Sequence, residues 1–253
     1  MNSRLGEIRE NKFGTHMMII RYGSSSDIDI EFLDEHHYVK KHTTYLNFKR
    51  GNIKNPFDRT IYNKGYVGVG NYKTRINGKD TIPYIVWKNM MNRCYSEHDS
   101  YRSKTYYLSA EVCEEWCNFQ TFAQWYENHK YECEGRLHLD KDILYPGNKT
   151  YSPYHCLLVP QRINMLFCNK TNHRGLPNGI YKEGNLYYAR YNLKELGHCK
   201  TIEEAYDLYV RYKKAEIIKV AEEYKNIIPQ KVYDALLNYD IRIENDKNFE
   251  TIK

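Results

Sequence analysis

The stretch that most constrains the fold is residues 179–226, where two hydrophobic periodicities meet without a break. GIYKEGNLYYARYNLKELGHCK places a Glu-Gly-Asn turn between two β-rich runs and follows them with a third, which predicts a three-stranded meander. TIEEAYDLYVRYKKAEIIKVAEEYKN then repeats its apolar residues every three or four positions, predicting a long helix with Ile202, Ala205, Tyr206, Tyr209 and Tyr212 as its buried stripe. Thr201 offers an N-cap hydroxyl, and Glu203 and Glu204 suit the positive helix end. In YYARYN the period of two sets Tyr187, Ala189 and Tyr191 on one face and Tyr188, Arg190 and Asn192 on the other. The small Ala189 lets a helix approach closely, so the second face is the one free to meet a partner.

The same two periods partition the rest of the chain. MMIIRY and DIDIEF, separated by GSSS, read as a hairpin, and the Gly- and Asn-Pro-punctuated stretch after it reads as short strands and turns rather than helix. Residues 17–72 therefore form a small β module. From Ile85 the spacing turns helical, with Trp87, Met90, Met91 and Cys94, and again with Trp116, Phe119, Ala123 and Tyr126, as core residues. LHLDKDI alternates once more: Leu137, Leu139 and Ile143 share one face, and His138, Asp140 and Asp142 the other. After Pro229 a short helix over 230–238 precedes a loose tail. The expected class is α+β in four parts: a basic β-rich module (1–75), a helical plus ββα domain (76–170), a three-stranded sheet packed on a helix (171–228), and a short helix with its tail (229–253).

No apolar run approaches the ~20 residues that span a bilayer, and the N-terminus lacks the apolar stretch of a secretory signal, so a soluble protein without membrane association is expected. The seven cysteines are odd in number and lack paired spacing, which points to reduced thiols in a cytosol. Cys113 and Cys117 form a C-x3-C with no second pair, so structural zinc is not expected. Net charge is +6, and it is concentrated: residues 40–79 hold ten lysines and arginines against one acid, Asp58. Tyr45, Phe48, Phe57, Tyr62, Tyr66 and Tyr72 interleave with those cations, the composition of a nucleic-acid surface, and Lys49, Arg50 and Lys54 are candidate contacts. Basic aromatic β surfaces also hold single-stranded RNA.

Two family resemblances follow from these motifs. GIYK, YYAR, the late LG and TIEEAYDLY closely resemble the ethylene-response-factor (APETALA-type) DNA-binding domain, as it also occurs in phage and mobile-element proteins. That resemblance implies a sheet lying in the major groove with a helix on its back, and duplex DNA as the partner. On the free face Tyr188, Arg190 and Asn192 would then meet bases, since arginine pairs with guanine and asparagine with adenine, while Lys182, Lys194 and Lys200 would hold phosphates.

LDKDI, GNKTYSP, HC and the VPQRIN helix start resemble the HNH endonucleases of mobile elements over about residues 85–168. The family fold is a hairpin and helix holding one divalent metal, Mg²⁺ or Mn²⁺. Position by position, the resemblance makes Asp140 and Asn164 metal ligands. Lys141 stands where the general-base His belongs, and His155 where Asn is usual. Lysine, ordinarily near 10.4, is a poor base at neutral pH, whereas imidazole suits that task. His138, two residues from Asp140 on the same strand face, and His155 are the two substitutes as catalytic base. The expected function is DNA binding with metal-dependent nicking of the duplex. The alternative is an inactive scaffold that binds DNA as a phage regulator or inhibits a host protein, in either case in the host cytosol.

Overall fold

In the computed structural model, which describes residues 4–97, 109–168, 172, 174–246 and 248–249, helices and strands are interspersed in several small sheets and the chain is α+β. It divides into two compact units, Met1–Tyr95 with Glu114–Gln124, and Ser96–Cys113 with Trp125–Lys253, so the block 76–170 is shared between them. Among the described residues no helix is long and apolar enough to cross a membrane.

In the first unit β1 (Ile8–Glu10), β2 (His16–Ser24), β3 (Asp27–Phe32) and β4 (Val39–Thr43) form an antiparallel sheet in chain order. The register pairs Met17 with Phe32 and Ile19 with Ile30, so the alternating apolar residues fall on one buried face. Phe48 and Ile53 close that core. Phe48 comes from α1 (Tyr45–Lys49), a helical turn inside the stretch expected to hold only strands and turns. The Thr44 hydroxyl accepts the Asn47 N–H and starts the turn, and burial of Phe48 rewards it. The short β5 (Arg75–Ile76) and β6 (Lys79–Asp80) precede α2 (Ile82–Tyr95), whose Trp87, Met90 and Met91 are buried as their spacing predicts. Trp87 Nε1 donates to Trp116 O at 2.7 Å, tying α2 to the segment Glu114–Gln124.

β7 (Glu111–Val112) belongs to the second unit, whereas the segment Glu114–Gln124 after it returns to the first. Beyond β7 lie α3 (Glu114–Cys117) and α4 (Phe119–His129), then β8 (Leu137–Asp140), β9 (Thr150–Tyr151), which runs parallel to β7, and β10 (Leu157–Pro160). β8 and β10 pair antiparallel, and α5 (Gln161–Phe167) follows at once, giving a strand, strand, helix order in the region where a hairpin and helix are expected. β11 (Ile180–Glu183), β12 (Leu186–Tyr191) and β13 (Lys194–Cys199) form the three-stranded antiparallel sheet, and α6 (Ile202–Tyr224) and α7 (Gln230–Leu237) complete the unit.

Helix α6 starts in a full capping box: the Thr201 hydroxyl accepts the Glu204 N–H and the Glu204 carboxylate accepts the Thr201 N–H. Its first half lays Ala205, Tyr206 and Tyr209 on Ile180 and Ala189, while its second half sends Ile217, Val220 and Ala221 into a core with Leu157, Val159, Ile163, Val232 and Leu236. Tyr212, expected in the stripe, is 41% exposed, and Lys213 is buried instead. The stripe steps through position 213 as the helix passes from the sheet to the hairpin. The described part of the tail is docked rather than loose. Lys214 Nζ donates to Leu237 O and Tyr239 O at 2.6 and 2.7 Å, Ile241 and Ile243 join the sheet–helix core, and Asp246 accepts from the Asn178 backbone and side chain. Buried polar groups of this kind are held only when such bonds are made.

Because Ala189 is fully buried beneath α6, Ala189→Leu should cost about 1–3 kcal/mol by overpacking. Tyr212→Ala, at an exposed position, should change stability by about 0.5 kcal/mol or less. Urea unfolding of the two variants distinguishes this packing from one centred on Tyr212.

Candidate nucleic-acid interface and central hairpin

The hairpin over 137–160 is built around buried polar groups. Asp140 ends β8 at 8% exposure, and its Oδ1 accepts the backbone N–H of Asp142 and of Ile143, both at 2.8 Å. The strand therefore stops at Asp140 and the chain turns back. Ile143, expected opposite Asp140 by alternation, instead enters the core that contains Leu157 and Val159. Lys141 is 3% exposed, and its ammonium donates to Asp142 Oδ1 at 2.7 Å and to the Asn148 carbonyl. Asn148 in turn clamps the loop, donating from Nδ2 to Lys141 O at 2.9 Å and Thr150 O at 2.8 Å. Asn148 lies within GNKTYSP, where the resemblance assigns it no role. Its bonds close a loop between residues seven apart, which periodicity does not register.

The expected site residues have separate partners. In the register Asp140 faces Leu157 and His138 faces Val159. Paired residues of an antiparallel ladder share a sheet face. Asp140 and His138 therefore lie on the side of Leu157 and Val159, which the core with Ile217, Val220, Val232 and Leu236 covers. His155 Nδ1 is hydrogen-bonded to Ser152 Oγ at 2.9 Å and its ring meets Tyr145 edge-on. Asn164 Nδ2 contacts Cys168 Sγ at 3.5 Å. Among the described residues the set of three or more His, Cys, Asp or Glu whose donor atoms lie within 4.8 Å of one another is Asp27, Asp29 and His42, not the hairpin residues. A divalent magnesium or manganese ion needs several oxygen donors and exchangeable water around it. A covered carboxylate already capping two amides, with a buried ammonium next in sequence, does not fit that requirement. The Asp27, Asp29 and His42 set is filled by Arg21, which donates to both carboxylates at 2.7 Å and holds Asp29 well below the usual carboxylate range.

The β11–β13 sheet is covered on one face only. Ile180, Ala189 and Gly197 align across the three strands on the helix side, and Tyr181, Tyr188 and His198 align on the other. Tyr181 and Tyr188 are stacked with centroids 5.2 Å apart, Tyr188 meets His198 at 5.4 Å, and the Arg174 guanidinium lies 4.2 Å over the Tyr181 ring. Arg190 shares the open face with Tyr188, as alternation predicts. Its Nε is buried and has no hydrogen-bond partner. His198 lies between Glu183 at 3.3 Å and Glu195 at 3.6 Å, so the open face carries both signs of charge.

Three expected contacts sit elsewhere. Asn192 has φ 47° and, with Leu193 at 66°, forms the tight turn between β12 and β13 rather than extending the strand face. The Lys182 ammonium lies over Tyr187 on the helix side, and that of Lys194 lies over Tyr212 of α6. In the first unit Lys49 and Arg50 are exposed at the end of α1 and line a cleft of about 450 Å³ with Arg9, Glu10 and Lys12, whereas Lys54 is exposed outside it.

Comparisons with known protein families, with curated proteins and with solved structures give no match to this chain.

Burial and the neighbouring Asp142 push the Asp140 carboxyl up to about 6 from its ordinary 3.8, against the opposing pull of the two amides and Lys141. An acid whose folded pKa exceeds its unfolded one holds its proton more tightly when folded. Its charge thus costs stability above about pH 6, and the cost is relieved as pH falls toward 4. Asp140→Asn keeps an oxygen for the two amides and carries no charge. Relative to the parent it should gain on the order of 2 kcal/mol in going from pH 4 to pH 7.5, measured by denaturant unfolding across that range. A gap that does not vary with pH contradicts this burial.

Proposed function

We propose that the chain binds duplex DNA through the open face of β11–β13 and uses the central hairpin as scaffold rather than as a nuclease. The observation that carries this reading is Arg190: it stands on an uncovered sheet face beside Tyr188, and its Nε is buried without an acceptor. A buried donor left unmade costs about 1–3 kcal/mol, so a side-chain rearrangement on binding that brings this donor to an acceptor recovers that energy. The paired acceptors of guanine, O6 and N7, have the geometry a guanidinium fork requires. The stacked Tyr181 and Tyr188 form a rigid ridge of the kind that enters a groove, and Arg174, held over Tyr181, is placed for a phosphate. Glu183 and Glu195 repel phosphates that approach out of register, so the face favours geometry over bulk charge.

The nicking reading is the less well supported. Hydrolysis needs a base with access to water, yet His138 lies on the strand face of Val159 and its core, His155 Nδ1 is already hydrogen-bonded to Ser152 Oγ, and Lys141 is buried against Asp142 and Asn148. A DNA-binding protein without cleavage acts by occupying its site, as a regulator does.

Fluorescence anisotropy with labelled duplexes selected from a random pool tests the reading. Arg190→Ala and Tyr188→Ala should each weaken binding about tenfold or more with unchanged thermal unfolding, while Leu193→Ala, at the turn, should not. Parent-like affinity in both face variants would remove the open face from the interface.

A further inference from the structure

We infer that the N-terminal module carries a second phosphodiester site, in the cleft between the β1–β2 loop and the end of α1. The inference rests on the chain being a DNA-binding protein, and it places a backbone contact in the unit that does not contain the β11–β13 sheet. The cleft is lined by Arg9, Lys12, Lys49 and Arg50 with a single acid, Glu10. Arg9 is neutralised by Glu7 at 2.9 Å, and Glu10 lies 3.3 Å from His16. Among the described residues Lys12, Lys49 and Arg50 have no carboxylate partner, whereas Arg4, Arg9, Arg21, Arg59, Arg75, Arg162 and Arg242 do. Three unpaired cations around one concavity focus a positive field on it, and an anion is the complementary occupant.

The floor of this cleft is fixed before any ligand arrives. Asn11 is buried, donates to Asp58 Oδ2 at 2.6 Å and accepts the N–H groups of Phe13 and Thr15 at 2.9 and 3.0 Å. Lys12 N donates to Gly51 O at 3.0 Å, joining the loop to the helix end. Gly51 has φ +66°, and a Cβ there would meet Glu10 O at 3.0 Å, so the two segments approach as closely as a glycine allows. Backbone fixed by these bonds and carrying exposed cations holds a phosphate at a defined place without reading bases. An open cleft bordered by long cationic side chains suits a strand that passes through, which is the reason to prefer a nucleic-acid phosphodiester over a free anion.

The test is the salt dependence of duplex binding by the full chain, with Lys12→Gln, Lys49→Gln and Arg50→Gln combined. All three side chains are exposed, so circular dichroism and thermal unfolding should be unchanged. Each phosphate contact contributes about 0.9 to the slope of log affinity against log salt, so the combined variant should lose about 2–3 from that slope. If slope and affinity stay at parent values while Arg190→Ala weakens binding, the cleft proposal fails and the sheet reading stands. If the slope falls but Arg190→Ala has no effect, the reverse holds, and a parent protein that does not bind duplex at low salt ends both. Inorganic phosphate should displace the duplex no better than chloride at equal ionic strength. Phosphate-specific displacement that disappears in the combined variant would assign the cleft to a free anion and overturn the proposal.

Discussion

The second unit depends on one helix serving two cores. α6 packs Ala205, Tyr206 and Tyr209 against Ile180 and Ala189 of the sheet, then Ile217, Val220 and Ala221 against the hairpin strand Leu157–Pro160 and α7. A pair of four-residue strands is marginal alone, and a three-stranded sheet is stable only with its apolar face packed. Joining them through a capped, 23-residue helix lets each borrow the other's burial. The open sheet face and the covered hairpin face follow from that single arrangement.

Covering the hairpin has a chemical consequence. Asp140, Lys141 and Asn148 form a polar knot in which the carboxylate caps amides, the ammonium meets Asp142 and a carbonyl, and the carboxamide clamps the loop. Every one of these groups does the work of holding backbone in an irregular loop, where unmade bonds are expensive. The residue types that suggest a nuclease are thus the same types that a buried loop of this length requires, and the position of Lys141 suits the second role better than the first.

What the sequence made legible were features set by local chemistry: the meander, the Thr201 cap with Glu204, the hairpin MMIIRY to DIDIEF and the helical spacing around Trp87. What it hid depended on tertiary context. Alternation predicted the faces of Tyr188 and Arg190 but overran the strand ends at Asn192, which turns, and at Ile143, which follows a chain reversal made by the Asp140 carboxylate. The stripe of α6 shifts to Lys213 because the helix changes partners midway. Residues 239–249 look like a tail in sequence because they have no periodicity, and the described ones among them dock through isolated contacts at Ile241, Ile243, Asp246 and Asn248.

The claim on which this account turns is that the protein binds duplex DNA and leaves it intact. Supercoiled plasmid incubated with the full chain in Mg²⁺ or Mn²⁺, at protein concentrations where binding is saturated, tests it most directly. The account predicts retarded plasmid that remains supercoiled after the protein is removed, with or without metal. Metal-dependent conversion to nicked circles that is lost in Asp140→Ala would contradict it.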